Sequence, residues 1–380
     1  MAKKRFLILA LSIAIIGSFA TCATIRTWFV PPIYGAALWV NGEMQILHNS
    51  SSQANSVFAY GDDVYVAGRI WDSVTESSRA ALWVNSELQT LSNSPSLARS
   101  VFVYDNTVYV TGSENGRAVV WVNGIVQQLD QPQTRSFSEG SEIYVSGTTV
   151  YVVGLIYQDR YPDHEYEPIG FSDESIVWNS RGVVWVNGTP QILGNNTMAH
   201  GIHISGDDIY VTGSIIGARD RRAALWINGA PQTLTGRMAH GDSVFVYSGN
   251  VYVMGVTNTN PRAFDEAMGE IGEFRQWRET GNPTLWVNGE QGMLRQSPSD
   301  GGSFFVAQGR SVARSVLVSN GNVFIAGVTE HFLGMQAHGT RRATLWVNGE
   351  PQTLHQMESN ARDVFVSGDD VFVAGLVRIN

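Results

Sequence analysis

Seven near-copies of Leu-Trp-Val-Asn-Gly alternate with seven near-copies of Asp-Val-Tyr-Val-Ala-Gly between Trp39 and Gly375, and this rhythm limits the fold to a repeat architecture. The tryptophans are Trp39, Trp83, Trp121, Trp185, Trp226, Trp286 and Trp346; the answering glycines are Gly68, Gly112, Gly154, Gly213, Gly255, Gly327 and Gly375. A period of about 40 to 60 residues marks blades, solenoids or arrays, whose units bury apolar surface only by stacking on one another.

One repeat reads as two hairpins. Val364 to Ser367 and Val371 to Gly375 flank the turn residues Gly368, Asp369 and Asp370, with the β-branched and aromatic alternation of a pleated, half-buried surface. The second hairpin runs Ala343 to Val347, turns at Asn348-Gly349 and returns through Glu350 to Leu354; Asn-Gly supplies the two positive φ angles of a type I′ turn. With the strands named a, b, c and d, each repeat is a four-stranded antiparallel sheet. Strand d carries Pro190, Pro231 and Pro351 and belongs at the outer edge, which leaves strand a innermost. Strand c is apolar at consecutive positions, as in Leu82-Trp83-Val84, so both its faces are expected to be buried and each Trp to pack between blades. Asp62-Asp63, Asp207-Asp208 and Asp369-Asp370 are read as turn chemistry, because other copies place Asn106-Thr107 or Thr148-Thr149 there.

The repeat region opens on a c–d hairpin, Ala37 to Leu47, and closes on an a–b hairpin, Val364 to Gly375. These halves complete one blade, so the chain is expected to form an all-β, seven-bladed β-propeller clasped by its two ends, over residues 36–380. A hairpin ending in Tyr-Val-x-Gly, a variable loop and a second hairpin bearing an aromatic together resemble the kelch repeat. The likeness covers about Gly35 to Asn380, with Ala67-Gly68 and Thr212-Gly213 standing where kelch strands usually end in two glycines. Kelch likeness implies a propeller and carries no activity with it.

The first residues, Met1 to Arg5, are basic and precede an apolar run from Phe6 to Ile16, the pattern of an export signal over residues 1–22, with a short linker at 23–35. Cys22, the one cysteine, follows that run, which points to a lipoprotein acylated there and held in the cell envelope. Cleavage near Ala23 or a retained anchor are the alternatives. A single cysteine excludes an intrachain disulfide. Removing Lys3, Lys4 and Arg5 from a formal charge of −9 leaves −12, which argues against a nucleic-acid partner.

In an up-and-down sheet the a–b and c–d turns share one face of the disc and the b–c and d–a connections the other. Every large insertion falls on that second face: Leu155 to Arg181, Val256 to Asn282, Val328 to Arg342, and Arg295 to Ala313. Variable loops on a rigid scaffold are where binding residues concentrate. The first loop offers Asp159, Asp163, His164 and Glu165; the second offers Asp265, Glu270 and Trp277, a mixture suited to sugar, peptide or cation. A polar ring of Asn55, Arg99, His200, His240, Arg314 and Arg362 is expected just before strand a at the channel mouth, either to meet an anionic ligand or to bridge blades. Arg79, Arg117, Arg181, Arg222 and Arg342, four residues before Trp, are expected to bond between blades. His200 and His203 lie three apart, on opposite faces of a strand, and no metal or other cofactor is expected.

These features favour an exported, non-enzymatic binding or scaffold propeller presenting its long-loop face to a protein or glycan, with contact to the membrane through a lipid on Cys22. A cell-envelope carbohydrate hydrolase or lyase using the loop carboxylates, and a structural spacer, are the rival readings.

Overall fold

Seven four-stranded antiparallel sheets follow one another around a ring, each ordered a-b-c-d, and together they form a seven-bladed β-propeller. The computed structural model describes residues 32–131, 136–158, 180–217, 220–234, 238–257, 282–293, 311–331 and 340–380. Within it residues 33–380 make one compact unit, and no helix occurs among the described residues. Blade 1 comprises strands Ser52–Tyr60, Asp63–Asp72, Ser77–Val84 and Glu87–Thr90. The a strands of blades 2 to 6 are Ser96–Tyr104, Ser136–Ser146, Thr197–Ser205, Ala239–Tyr247 and Val312–Ser319.

Blade 7 takes its a and b strands, Ser359–Ser367 and Asp370–Arg378, from the end of the chain, and its c and d strands, Tyr34–Val40 and Glu43–Ile46, from the start. Seven residue pairs from Tyr34↔Arg378 to Val40↔Phe372 join the two. The clasp expected from the half-units is therefore present, and it ties residues more than 300 positions apart into one ladder.

The core is divided among the blades. All seven repeat tryptophans are fully buried. Each shares a cluster with the apolar residue that precedes Trp in the previous blade: Trp83 with Leu38, Trp121 with Leu82, Trp185 with Val120, Trp226 with Val184, Trp286 with Leu225, Trp346 with Leu285 and Trp39 with Leu345. Neighbours along a strand point to opposite faces, so the Leu-Trp pair places one side chain in each of two inter-blade cores. Trp185 Nε1 donates to the Asp130 carbonyl at 2.8 Å, whereas the indole N–H of Trp39, Trp83, Trp121, Trp226 and Trp286 has no partner among the described residues. An unmet donor costs about 1–3 kcal/mol. Burying some 150–250 Å² of indole at about 25 cal/mol per Å² outweighs it.

The c–d turns, six of them Asn-Gly and one Asn85-Ser86, do more than reverse the chain. Asn41, Asn85, Asn123, Asn187, Asn228, Asn288 and Asn348 all have positive φ, between 46° and 53°. Their Oδ1 atoms accept the N–H of Val371, Val64, Val108, Val150, Ile209, Val251 and Val323 on the adjacent b strand, each at 2.9 Å. Asn41, Asn85 and Asn228 also donate through Nδ2 to Asp370, Asp63 and Asp208 at 2.6 to 2.8 Å. The second Asp of each Asp pair thus fastens the c–d hairpin to the a–b hairpin, as turn chemistry requires.

Five hydroxyls stitch neighbouring blades at the opposite face. Ser52, Ser96, Ser138, Thr197 and Ser359 at the head of strand a accept the N–H of Ala36, Ala80, Ala118, Gly182 and Ala343 in the preceding blade's strand c, at 2.8 to 2.9 Å. In blade 5 that position of strand c is Pro283, which has no N–H to give.

Candidate functional site

The a strands line the central channel, and each carries one residue more than its b partner. The pairing slips between Ala54 and Ser56, Ala98 and Ser100, Gly140 and Glu142, Ala199 and Gly201, Gly241 and Ser243, Ala313 and Ser315, and Ala361 and Asp363. The additional residues are Asn55, Arg99, Ser141, His200, Asp242, Arg314 and Arg362, a β-bulge repeated around the ring. Five of the six expected ring residues, Asn55, Arg99, His200, Arg314 and Arg362, share the bulge level. They sit inside strand a rather than before it, because that strand begins several residues earlier than its apolar alternation shows.

His240 does not share this level. Ala-His-Gly occurs in both blade 4 and blade 5, but the triplet sits two residues further from the bulge in blade 5, where Asp242 takes the ring position. His240 is buried behind it, Nε2 3.0 Å from Asp242 Oδ2, with its ring centroid 6.5 Å from that of His200. Two ring members link consecutive blades: Asn55 Nδ2 donates to the Ala98 carbonyl at 2.7 Å, and Arg99 pairs with Glu139 of blade 3.

The bulge explains the seven repeated glycines. A Cβ on Gly68, Gly112, Gly154, Gly213, Gly255, Gly327 or Gly375 would lie 1.9 to 2.1 Å from the carbonyl oxygen of the residue two places before the bulge residue, as Gly213 would from Met198. No side chain tolerates that approach, so the glycine of strand b and the bulge of strand a are one feature.

Immediately after the bulge a relay of side-chain acceptors circles the channel. Ser56 accepts the N–H of Val101, Ser100 that of Ile143, Glu142 that of Ile202, Ser243 that of Val316, Ser315 that of Val364 and Asp363 that of Val57. Each bond passes from one blade to the next, at 2.7 to 3.4 Å, and Gly201 leaves the one gap. Two positions are carboxylic acids. Burial pushes Glu142 up to about 8 against the pull of its Ile202 hydrogen bond, and the charge of Asp363 adds to the rise. Burial also raises Asp363, opposed by hydrogen bonds from Ser315 and the Val57 N–H.

Two residues further along, Phe58, Phe102, Tyr144, His203, Phe245, Leu317 and Phe365 form a collar around the lumen. Successive ring centroids from Phe365 through Phe58, Phe102, Tyr144 and His203 to Phe245 are 4.4 to 5.3 Å apart. Burial lowers His203 to about 4, so its imidazole is neutral and serves as one more aromatic of the collar. Six of the seven collar positions carry an aromatic ring three residues before the a–b turn, and blade 6 has Leu317 there.

A second feature of the long-loop face escaped the sequence reading. A cleft of about 370 Å³ lies over the loop end of blade 7, between blades 6 and 1, and its lining includes Gln53, Arg69, Trp71, Arg341, Glu358 and Asn360. Trp71 is 44% exposed, while the seven repeat tryptophans are fully buried. The signal for it was its surplus to the repeat: of eleven tryptophans, Trp28, Trp71, Trp178 and Trp277 fall outside the seven-fold series. Arg69 Nη2 donates to Gln53 Oε1 at 3.3 Å and Nη1 to Ser78 Oγ at 3.5 Å, and Arg69 lines the cleft together with Trp71. On the other side Tyr34 Oη donates to Glu358 Oε1 at 2.8 Å; burial and then this bond push the phenol up to about 12.

Asp159, Asp163, His164, Glu165, Asp265, Glu270, Trp277 and Cys22 lie outside the described residues. Of the arginines before Trp, Arg79 pairs with Asp72 of its own blade and Arg222 lies 2.7 Å from Asp220, so these two bond within a blade, across the start of strand c, rather than between blades as expected. Among the described residues no group of three or more His, Cys, Asp or Glu side chains is placed to hold a metal ion.

No family model matches the chain, and no curated protein matches it in sequence. Solved structures do resemble it. An acylaminoacyl peptidase of Pyrococcus horikoshii is 10% identical with a TM-score of 0.49, covering 85% of this chain and 49% of its own. The β-propeller domain of the Trilobed protease from Pyrococcus furiosus is 11% identical with a TM-score of 0.37, covering 80% and 96%, and a Trypanosoma rangeli sialidase is 10% identical with a TM-score of 0.41, covering 84% and 60%. The chain thus spans about half the length of the peptidase and three fifths of the sialidase, and these likenesses concern the fold alone.

Proposed function

We propose that this propeller is an exported, non-enzymatic binding or scaffold protein of the cell envelope, with kelch-like repeats, tethered by a lipid on Cys22 and presenting its long-loop face to a protein or glycan. The observation that carries the reading is the difference between the two faces. One face is built from two-residue turns consumed by hairpin hydrogen bonds; the other holds the long connections, the mouth with its bulge ring and the cleft with an exposed tryptophan. The two carboxyls that burial raises, Glu142 and Asp363, accept backbone N–H groups in the inter-blade relay, which is a structural use rather than proton transfer.

Two exposed positions separate the faces for an experiment. Val74, 90% exposed, follows strand b of blade 1 on the loop face, and Ile125, 71% exposed, follows the Asn123-Gly124 turn on the other. A photo-crosslinker placed at 74 is expected to capture an envelope component that the same group at 125 does not. Equal capture, or capture at 125 alone, contradicts the assignment of the face, and turnover of an envelope polysaccharide by the purified chain contradicts the non-enzymatic reading. Membrane sedimentation that survives Cys22→Ala removes the lipid tether.

A further inference from the structure

The cleft over blade 7 has a composition that selects a ligand. Leu376 is its single aliphatic side chain; amide, hydroxyl, guanidinium and carboxylate groups and the phenol of Tyr34 line the rest around one exposed indole. Polar and apolar surface are nearly balanced there, which suits an amphipathic ligand. A pyranose has the complementary shape: a C–H face for the indole and a rim of hydroxyls for planar polar side chains.

Charge narrows the class. Two guanidiniums, Arg69 and Arg341, line the cleft against one carboxylate, Glu358, which already accepts from Tyr34 and lies 3.6 Å from Arg378. Guanidiniums thus outnumber carboxylates in the lining, and a guanidinium matches a carboxylate through two parallel hydrogen bonds. Trp71 and Arg69 are fixed on paired strand rather than on a loop. Trp71 pairs with Ser78, its backbone N–H donates to the Ser51 carbonyl at 2.8 Å, and Arg69 is opposite Gln53 and Ala80. Two apart on one strand, they face the same side.

We propose that this cleft binds a carboxylated saccharide, a hexuronic acid or an oligosaccharide ending in one, with its pyranose ring on Trp71 and its carboxylate on Arg69. The assignment rests on the binding reading of the long-loop face and names a ligand class for it. It also uses the closure of the ring, because blade 7 exists only once the chain ends have met.

The test is titration of the full chain with trigalacturonate, and with neutral galactotriose as the comparator, read by calorimetry and tryptophan fluorescence. Saturable binding of trigalacturonate is expected, at least tenfold weaker for galactotriose and at least tenfold weaker for Trp71→Ala. Arg69→Gln should bring the two saccharides to similar affinity, and Trp71→Phe should retain part of it. Unchanged melting temperatures in the variants show that the loss is local. No saturable binding, or equal affinity in the parent and Trp71→Ala, overturns the site; equal affinity for the two saccharides overturns the acidic class. Crosslinking at 74 without saccharide binding leaves the long-loop face as a binding face and overturns this ligand, whereas the absence of both overturns both.

Discussion

Glu142→Gln should make the protein less sensitive to alkali and more stable above neutral pH. Glu142 occupies the relay between blades 3 and 4, where its Oε2 accepts the Ile202 N–H at 2.7 Å, and burial raises its pKa from 4.5 to about 8. Below about pH 4.5 the carboxyl is protonated in both folded and unfolded chains and contributes its full share. Between 4.5 and 8 the unfolded chain ionises while the folded one holds its proton, so stability falls as pH rises, by roughly 1.4 kcal/mol per pH unit. Above 8 both forms are ionised and the loss levels off at a ceiling on the order of 4–5 kcal/mol. Glu142 is only partly buried as a residue, and solvent screening lowers the ceiling to about 2–4 kcal/mol. An amide oxygen accepts the Ile202 N–H equally well and cannot ionise. The variant should therefore match the parent near pH 4.5 and exceed it at pH 9 by that amount, about 3–6 °C in Tm for a domain of this size. Urea unfolding at pH 4.5, 7 and 9, followed by fluorescence of the buried indoles, measures it. A parent whose stability does not fall between pH 5 and 8, or a variant weaker than the parent at pH 9, would show that Glu142 is ionised in the folded chain and refute the reasoning.

Gly213→Ala should cost about 3 kcal/mol or more, since its Cβ would meet the Met198 carbonyl oxygen at 1.9 Å, whereas Gly292→Ala, with nothing nearer than 3.4 Å, should stay within about 1 kcal/mol; matched losses in denaturant titration would contradict the bulge account. Asn228→Ala removes a residue suited to φ 51° together with its bonds to the Ile209 N–H and Asp208, and a loss of about 1–2 kcal/mol is expected in thermal melts. Asn228→Gly, which keeps the backbone geometry but not the bonds, should lose less, and an equal or larger loss would place the effect outside the left-handed turn.

The repeats were read correctly where a residue's role is local or recurs in every unit. Trp39 and its six counterparts, the Asn-Gly turns, the outer position of the proline-bearing strand and the shared blade all follow from patterns a few residues long, because period-two burial and positive φ are imposed by the nearest neighbours. The ring positions were less legible. His200 and His240 sit in identical Ala-His-Gly triplets at different distances from their bulges, and strand pairing, not the triplet, decides which one reaches the ring. Arg79 and Arg222 recur like structural residues but meet acids that are not repeated, Asp72 and Asp220.

The sequence by itself determined the number of blades, the order of strands within them and the closure by both ends, since each is a count or an alternation along the chain. Tertiary structure decided which polar and aromatic side chains meet across blades around the channel and the cleft. The relay from Ser56 to Asp363, the aromatic collar, the elevated pKa of Glu142 and the placing of Trp71 beside Glu358 and Arg341 join residues tens to hundreds of positions apart. A single strand contains no record of them, because burial and electrostatics act across space and the neighbours that supply them are chosen only when the ring shuts.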